Sequence, residues 1–364
     1  MVDTEKNPIS NDITFILTIK GREDFTKRAM DYYSSISFPY KILIGDGDKN
    51  SKIKTYLDSS RHLDKVDYEY FQFDDATPEH FFRKMQFLLK KVDTPYVMLM
   101  DNDDYVLAGN IPTCINFLNE NSDYVACGGR IFGFRSIKGK ILSEGPMYKP
   151  RNYAQSSPLD RSIDYLTHGT LVWYSICKTG VLKKALDNFI ETKVKDFLLM
   201  ENFLAIAVLT QGKAKIFNNF FHYVRQTNTS QCGINIPSFF RRVVIASLGE
   251  EIQIFLSSLT NQLVKATSLP AEDVKKLLSD CYASYQEKNH SKVFVFSEQL
   301  TIRFYEVINA IRARSIFFNK VMRKIEQFRF KRASRKSGFD KKELNLFIKE
   351  YDVVERSITA HNSI

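Results

Sequence analysis

The stretch TPYVMLMDNDD, residues 94–104, decides how this chain is read. An apolar run, Val97 to Met100, is bounded by Pro95 and stops at Asp101-Asn102-Asp103-Asp104. Consecutive apolar residues between a proline and a polar cluster mark a strand buried on both faces, as in a parallel sheet. Open α/β sheets bind ligands outside the carboxyl ends of their strands, and this strand ends in three carboxylates. Neighbouring like charges repel, so the grouping makes sense around a hard cation. Mg2+ and Mn2+ take oxygen ligands and are commonly held by one or two carboxylates plus substrate phosphates. Taken alone, the acidic cluster better suits a solvated turn with helix-capping aspartates. What precedes and follows it favours the metal.

Upstream, strand and helix patterns alternate. DITFILTIK (12–20), YKILIGDGD (40–48) and YEYFQF (68–73) read as strands. Between them, Phe25, Ala29, Tyr32, Tyr33 and Ile36 fall at helical spacing, and SKIKTYLDSS is a second helix. Thr77-Pro78-Glu79 supplies a helix cap with proline in the first turn, and Phe81, Phe82, Met85, Leu88 and Leu89 form the stripe that follows. Four strands joined by three helices imply a doubly wound parallel sheet with right-handed crossovers.

Downstream, Ile111–Asn119 reads as a helix and YVACGGRIFGF as a strand. KGK at 138–140 is a hairpin turn adding antiparallel strands at one edge. Residues 146–162, with three prolines, read as a loop, and HGTLVWYSICKTG resumes β character. Residues 195–212 form an apolar helix stopped by Gly212, followed by a short strand, KAKIF. Long helical patterns begin near 235, the last over 297–332. The chain therefore divides into a flexible N-terminus (1–11), an α/β unit (12–234) and a helical C-terminal domain (235–364).

Hydrophobic content of 44% and charged content of 26% in 364 residues suit a soluble globular protein. No apolar stretch approaches the roughly 18–20 residues of a membrane helix, and the polar N-terminus lacks the order of a signal peptide. Five scattered cysteines without CxxC spacing favour reduced thiols over a disulfide framework or zinc site, and the cytoplasm as the compartment. The net charge of +10 is concentrated: residues 312–336 hold ten Lys/Arg against Glu326 alone. Such a segment can dock on an anionic membrane face or an anionic glycan, or form a solvated face of a helical oligomerisation unit.

These blocks, in this order, resemble the nucleotide-sugar-binding half of GT-A glycosyltransferases, and among them the mostly inverting family 2. DITFILTIKGRED is similar to that family's opening strand and arginine loop, and ILIGDGDKN to its acidic second turn. DATPEHFFRKMQFLLKKVDTPYVMLMDNDD resembles the block ending in the metal motif. GTLVWYSICKTGVLKKAL with LLMENFLAIAVLTQGKAKIF resembles the acceptor side, showing Glu201-Asn202 where the family usually has Glu-Asp. HYVRQTNTSQ resembles the tail. The likeness spans roughly 12–232 and implies a GT-A-like, mostly parallel doubly wound sheet followed by an α-helical domain.

The resemblance implies a divalent ion, Mn2+ or Mg2+, that neutralises the leaving diphosphate. Asp103 is its best ligand, Asp101 meets the metal or the ribose, and Asp104 supports the site or the acceptor. His222 after the last strand would complete the metal shell, and Arg225 would close over the phosphates. Thr18 and Arg22 belong to the donor-binding opening block; Arg22 is either a phosphate partner or a surface arginine. Asp46 is a ribose or base acceptor or a plain turn residue. Arg83 or Lys84 points to the diphosphate, unless both lie on a solvated helix face. Inverting transfer needs a general base. Glu201 stands among apolar neighbours that raise a carboxyl pKa, with Asp196 as the fallback. His168 and Trp173 are weaker candidates, since single histidines and tryptophans more often pack than bind.

The sequence thus points to a cytoplasmic glycosyltransferase, peripheral on the inner membrane face if residues 312–336 dock there. It would use a nucleotide-sugar donor, UDP-linked by preference, and a glycan or lipid-linked acceptor in surface-polysaccharide synthesis. The C-terminal helices offer a homo-oligomer contact. A nucleotidyltransferase is the nearest rival, but Lys20-Gly21-Arg22 is too short for its glycine-rich loop. A nucleic-acid-binding protein would explain pI ≈ 9.1 and FRFKRASRKSGF, yet nothing in the front half supports it. A catalytically dead scaffold of the same fold is opposed by Asp101, Asp103 and Glu201.

Overall fold

In the computed structural model of the chain, residues 11–137, 140–147, 149–168, 172–227, 246–290 and 341–361 are described. The boundary near 235, the helical pattern at 297–332 and the basic segment 312–336 lie outside them.

The first half follows from hydrophobic period. Strands β1 (Ile13–Ile19), β2 (Lys41–Asp46), β3 (Tyr68–Gln72) and β4 (Tyr96–Met100) alternate with helices α1 (Glu23–Ser35), α2 (Ile53–Ser59) and α3 (Pro78–Lys91). All pairings among these strands are parallel: β1 lies between β2 and β4, and β3 flanks β2. Successive side chains of a strand face opposite sides. Phe15 and Leu17 of β1 and Met98 and Met100 of β4 therefore enter one core, while Ile16, Val97 and Leu99 enter the other. Burial on both faces explains why β4 reads as an unbroken apolar run. Thr77 caps α3, its Oγ1 accepting from the His80 N–H at 3.4 Å, with Pro78 opening the helix.

The chain continues through β5 (Tyr105–Val106), α4 (Ile111–Glu120), β6 (Tyr124–Ile137), β7 (Lys140–Pro146), β8 (Asn152–Tyr153), α5 (Pro158–His168), β9 (Ile176–Lys178), α6 (Thr179–Thr192), α7 (Phe197–Gln211) and β10 (Lys213–Gln226). The sheet runs β3-β2-β1-β4-β9-β6-β10-β5, with β7 on β6 and β8 on β10. Antiparallel β9 joins the parallel half to β6 and β10, which are parallel to each other.

Three sequence expectations are corrected here. Residues 146–162 are not one loop: β8 lies within them, and α5 starts at Pro158, where Ser157 Oγ accepts from the Asp160 N–H at 3.3 Å. Proline in a first helical turn costs no hydrogen bond, so it marks a start rather than a break. Among the described residues of HGTLVWYSICKTG, strand is confined to β9, and His168 closes α5. KAKIF is only the beginning of a 14-residue strand, whose register shifts between Ile216 and Phe221. The exposed Asn218-Asn219 pair at that bulge breaks the apolar period.

Beyond 245, α8 (Ala246–Val264) and α9 (Ala271–His290) place Phe255, Leu259 and Leu278 in the core shared with α5, α6 and α7. The opposite face is covered by α10 (Lys341–His361), through Phe347, Val354 and Ile358. Polar anchors fix its register: Glu350 Oε1 accepts from the Gly109 N–H at 2.8 Å, and Ser357 Oγ donates to the Arg28 carbonyl at 3.2 Å.

Candidate functional site

The carboxyl end of β4 is where the sheet runs out of partners. Buried Met100 gives way to Asp101-Asn102-Asp103-Asp104, a turn held by the start of α1 on one side and by β10 and Tyr174 on the other. The Asp101 N–H donates to the Tyr223 hydroxyl oxygen (3.2 Å), and its Oδ2 accepts from the Tyr174 hydroxyl (2.7 Å). The Tyr174 and Tyr223 rings stack, centroids 4.4 Å apart. Asn102 Nδ2 donates to Thr26 Oγ1 at 3.0 Å and to the Arg22 carbonyl at 3.5 Å. Asp103 Oδ2 pairs with the Arg22 guanidinium at 2.6 Å. Asp104 Oδ1 accepts from the Gln226 N–H at 2.8 Å, with Arg225 Nε 4.0 Å from its other oxygen.

One oxygen from each of Asp101, Asp103 and Asp104 lies within 4.8 Å of the others. Burial raises the Asp101 pKa and pushes that of Asp104 well up, and repulsion from Asp103 adds to both. Arg225 opposes the rise at both acids. The fold thus forces together charges that resist being together. Three oxygen donors under mutual repulsion fit a hard divalent cation.

Glu201 enters from α7. That helix is capped by Asp196, whose Oδ1 accepts from the Leu199 N–H at 2.9 Å, so the fallback base has a structural role. Glu201 is half-buried in the next turn, and burial raises its pKa to about 7, with Asp101 adding to the rise and Arg225 opposing it. It therefore shares electrostatic surroundings with the acidic turn. Asn202 points elsewhere, accepting from the buried Tyr165 hydroxyl at 3.1 Å.

A second set of polar groups lies two strands away. Because β2 and β4 flank β1, the ends of β2 and β4 are about 10 Å apart at ordinary strand spacing. Asp46 is buried at the end of β2, accepting from the Tyr70 hydroxyl (2.9 Å) and the Asp48 N–H (2.9 Å). Lys84 is also buried. It ion-pairs with Asp75 and donates to the Ile19 carbonyl at 3.0 Å, and burial lowers its pKa. A Cβ on Gly47 would stand 1.9 Å from Asp75, so glycine is what lets that carboxylate close under the turn. Arg83, beside Lys84, is exposed and faces away. Thr18 is half-buried on β1 opposite Gly45.

His222 does not join the acids. Its Nδ1 accepts from the Gly129 N–H at 3.0 Å and its Nε2 meets the Tyr174 carbonyl at 2.8 Å, so both ring nitrogens are engaged by backbone. Burial lowers its pKa and keeps the ring neutral. His168 pairs with Asp164 at 2.8 Å on the end of α5, and Trp173 packs between the two cores. Sequence reading passed over Tyr174, Tyr223, Gln226 and Asp75. Tyr174 stood beside the tryptophan that drew notice, and Asp75 lay two residues ahead of the Thr77-Pro78 helix start.

Residues 53–186 match the family described as Glycosyl transferase family 2. No curated protein matches the chain by sequence. Its fold is similar to that of S. aureus TarS. TarS 1–349 in complex with UDP matches with a TM-score of 0.51 at 16% identity, over 79% of this chain and 74% of that one. TarS 1–349 in complex with UDP-GlcNAc matches with a TM-score of 0.51 at 15% identity, over 76% and 73%. A longer TarS chain matches with a TM-score of 0.50 at 13% identity, over 78% of this chain and 44% of that one. At such identities the likeness is one of fold, GT-A-like with added C-terminal helices. No described helix is long and apolar enough to cross a membrane.

Proposed function

We propose, from the match of residues 53–186 to Glycosyl transferase family 2, that this chain is a glycosyltransferase that moves a sugar from a nucleoside-diphosphate donor to a glycan or lipid-linked acceptor with inversion. A UDP-sugar is the favoured donor and surface-polysaccharide synthesis the favoured setting. The observation that carries this reading is Glu201, held near neutrality within reach of the charges on Asp101 and Arg225. A base poised near working pH on the same cleft as an acidic turn is the pairing inverting transfer requires.

A divalent ion bound at the turn would neutralise charge developing on the departing diphosphate. Asp101 and Asp103 are the residues to hold it, with Asp104 buttressing them through Gln226. Arg225, whose guanidinium lies 5.4 Å over the Tyr174 ring beside the acidic turn, would meet a phosphate. Asp46 frames the nucleoside end, and Lys84 contributes by fixing the turn it lies under. Glu201 accepts the acceptor hydroxyl proton as that oxygen bonds to the anomeric carbon. The bond from that carbon to the diphosphate oxygen breaks, and its electron pair leaves with the diphosphate. Uridine is favoured because the TarS structures of similar fold are complexes with UDP and UDP-GlcNAc.

Thermal shift with UDP, GDP, CDP, ATP and UDP-sugars, each with and without Mn2+, tests the reading. A ligand at 100 times its Kd stabilises by about 2.7 kcal/mol, a shift readily seen. UDP or a UDP-sugar should raise Tm, and more so with Mn2+. A response confined to nucleoside triphosphates would transfer the assignment to nucleotidyl transfer, and no response to any nucleotide would overturn it.

A further inference from the structure

We infer that Arg22 competes with the divalent ion for Asp103 and so makes cation binding depend on the donor diphosphate. The inference rests on the glycosyltransferase reading and adds to it an order of assembly.

Several contacts over-determine the position of this arginine. Gly21 (φ 61°) and Arg22 (φ 56°) are consecutive left-handed residues at the entrance to α1. A non-glycine residue in that region is uncommon and persists where its surroundings hold it. Here the holding groups are visible. The guanidinium lies 4.5 Å over the Phe25 ring, Asn102 reaches the Arg22 carbonyl, and the side chain ends on Asp103 Oδ2 at 2.6 Å. Asn102 and Asp103 both belong to the acidic turn, so the turn itself grips Arg22 by backbone and by charge. Arg225, also among the described residues at the turn, stands farther from its acid, with Nε 4.0 Å from Asp104.

A guanidinium binds carboxylate and phosphate with the same planar fork. While it sits on Asp103, it supplies the positive charge that a divalent ion would otherwise supply, and an incoming ion has to displace it. A diphosphate at the same cleft offers the guanidinium a more highly charged partner. Transfer of Arg22 to phosphate removes its competition with the ion at Asp103 Oδ2. Cation and diphosphate then bind with positive coupling, which linkage makes reciprocal.

The test is Mn2+ titration of the full chain by calorimetry or EPR, with and without saturating UDP, and involves no turnover. Wild type should bind Mn2+ at least about tenfold more tightly when UDP is present, within the usual range of coupling between sites. Arg22→Gln should bind Mn2+ alone at least about fivefold more tightly than wild type and show a correspondingly smaller UDP effect, the remainder being direct contact of the ion with phosphate. Arg22→Lys, which keeps the charge without the fork, should fall between them and serves as the readout if the glutamine variant does not fold. Unchanged Mn2+ affinity in Arg22→Gln, or undiminished coupling in either variant, would overturn the inference while leaving the glycosyltransferase reading intact. A wild-type protein that binds neither Mn2+ nor UDP would overturn both.

Discussion

Under the turn after β2, Lys84 and Asp75 form a buried pair in which one positive charge meets one negative, closed off by Gly45 and Gly47. At the turn after β4, Asp101, Asp103 and Asp104 crowd together against Arg22 and Arg225, and burial with mutual repulsion raises two of the three acids. Both sites lie at the same edge of one sheet. The first is balanced within itself and acts on structure. Among the described residues, the second sets three crowded acids against two arginines in a low-dielectric setting, an arrangement that stability alone would not favour. What separates a scaffold ion pair from a ligand site is this imbalance rather than the number of charges.

The largest effect should come from outside both groups. Glu201→Gln keeps shape and removes the base, so kcat for sugar transfer should fall by about 10²–10⁴. In the wild type the rate should climb as pH rises through about 7, where Glu201 loses its proton, and level off above. A pH profile flat through neutrality would remove Glu201 from the reaction.

The contrast between the two turns can be broken next. Lys84→Met leaves Asp75 charged and buried, and urea unfolding should show a loss of about 3–5 kcal/mol. Asp104→Asn, by contrast, keeps the acceptor for the Gln226 N–H and removes a repelled charge. Its sign follows from linkage: the folded pKa of Asp104 is raised, so the wild type binds more protons folded than unfolded and loses stability as pH rises through that pKa. Without added metal, Asp104→Asn should match or exceed wild-type Tm at pH 8 and lose the advantage at low pH. An Asp104→Asn variant much less stable than wild type at pH 8 would mean that the acidic turn, like the Lys84 pair, is a structural device.

The smallest effect sharpens the comparison. Tyr174→Phe removes one hydrogen bond to Asp101, worth about 1.5–3 kcal/mol when the acceptor is charged. Mn2+ affinity measured with UDP should weaken about tenfold or more, and Tm without metal should fall by about a few degrees, stacking on Tyr223 limiting the loss.

Much of this architecture could be read in the residues. Apolar runs ending in Gly45-Asp46 and Asp101 mark strands whose carboxyl ends meet at one edge, and Thr77-Pro78 marks the start of α3. Glu201 draws notice in the sequence because a carboxylate interrupts the most apolar of the described helices. What stayed hidden depends on distant partners. Tyr223 reaches Asp101 from 122 residues away, and Tyr174 from 73. His222 looked like a metal ligand until the Gly129 N–H and Tyr174 carbonyl were seen to engage its ring. Lys84 and Arg83 were indistinguishable in sequence; the helix turn that buries one exposes the other.

The central claim is that the acids after β4 bind a divalent ion together with a diphosphate. Anomalous diffraction from crystals grown with Mn2+ and UDP tests it most directly. A manganese peak in contact with Asp101 or Asp103 and with the UDP phosphates is the predicted result. Ordered UDP with no manganese at those carboxylates, or manganese bound elsewhere on the chain, would contradict it.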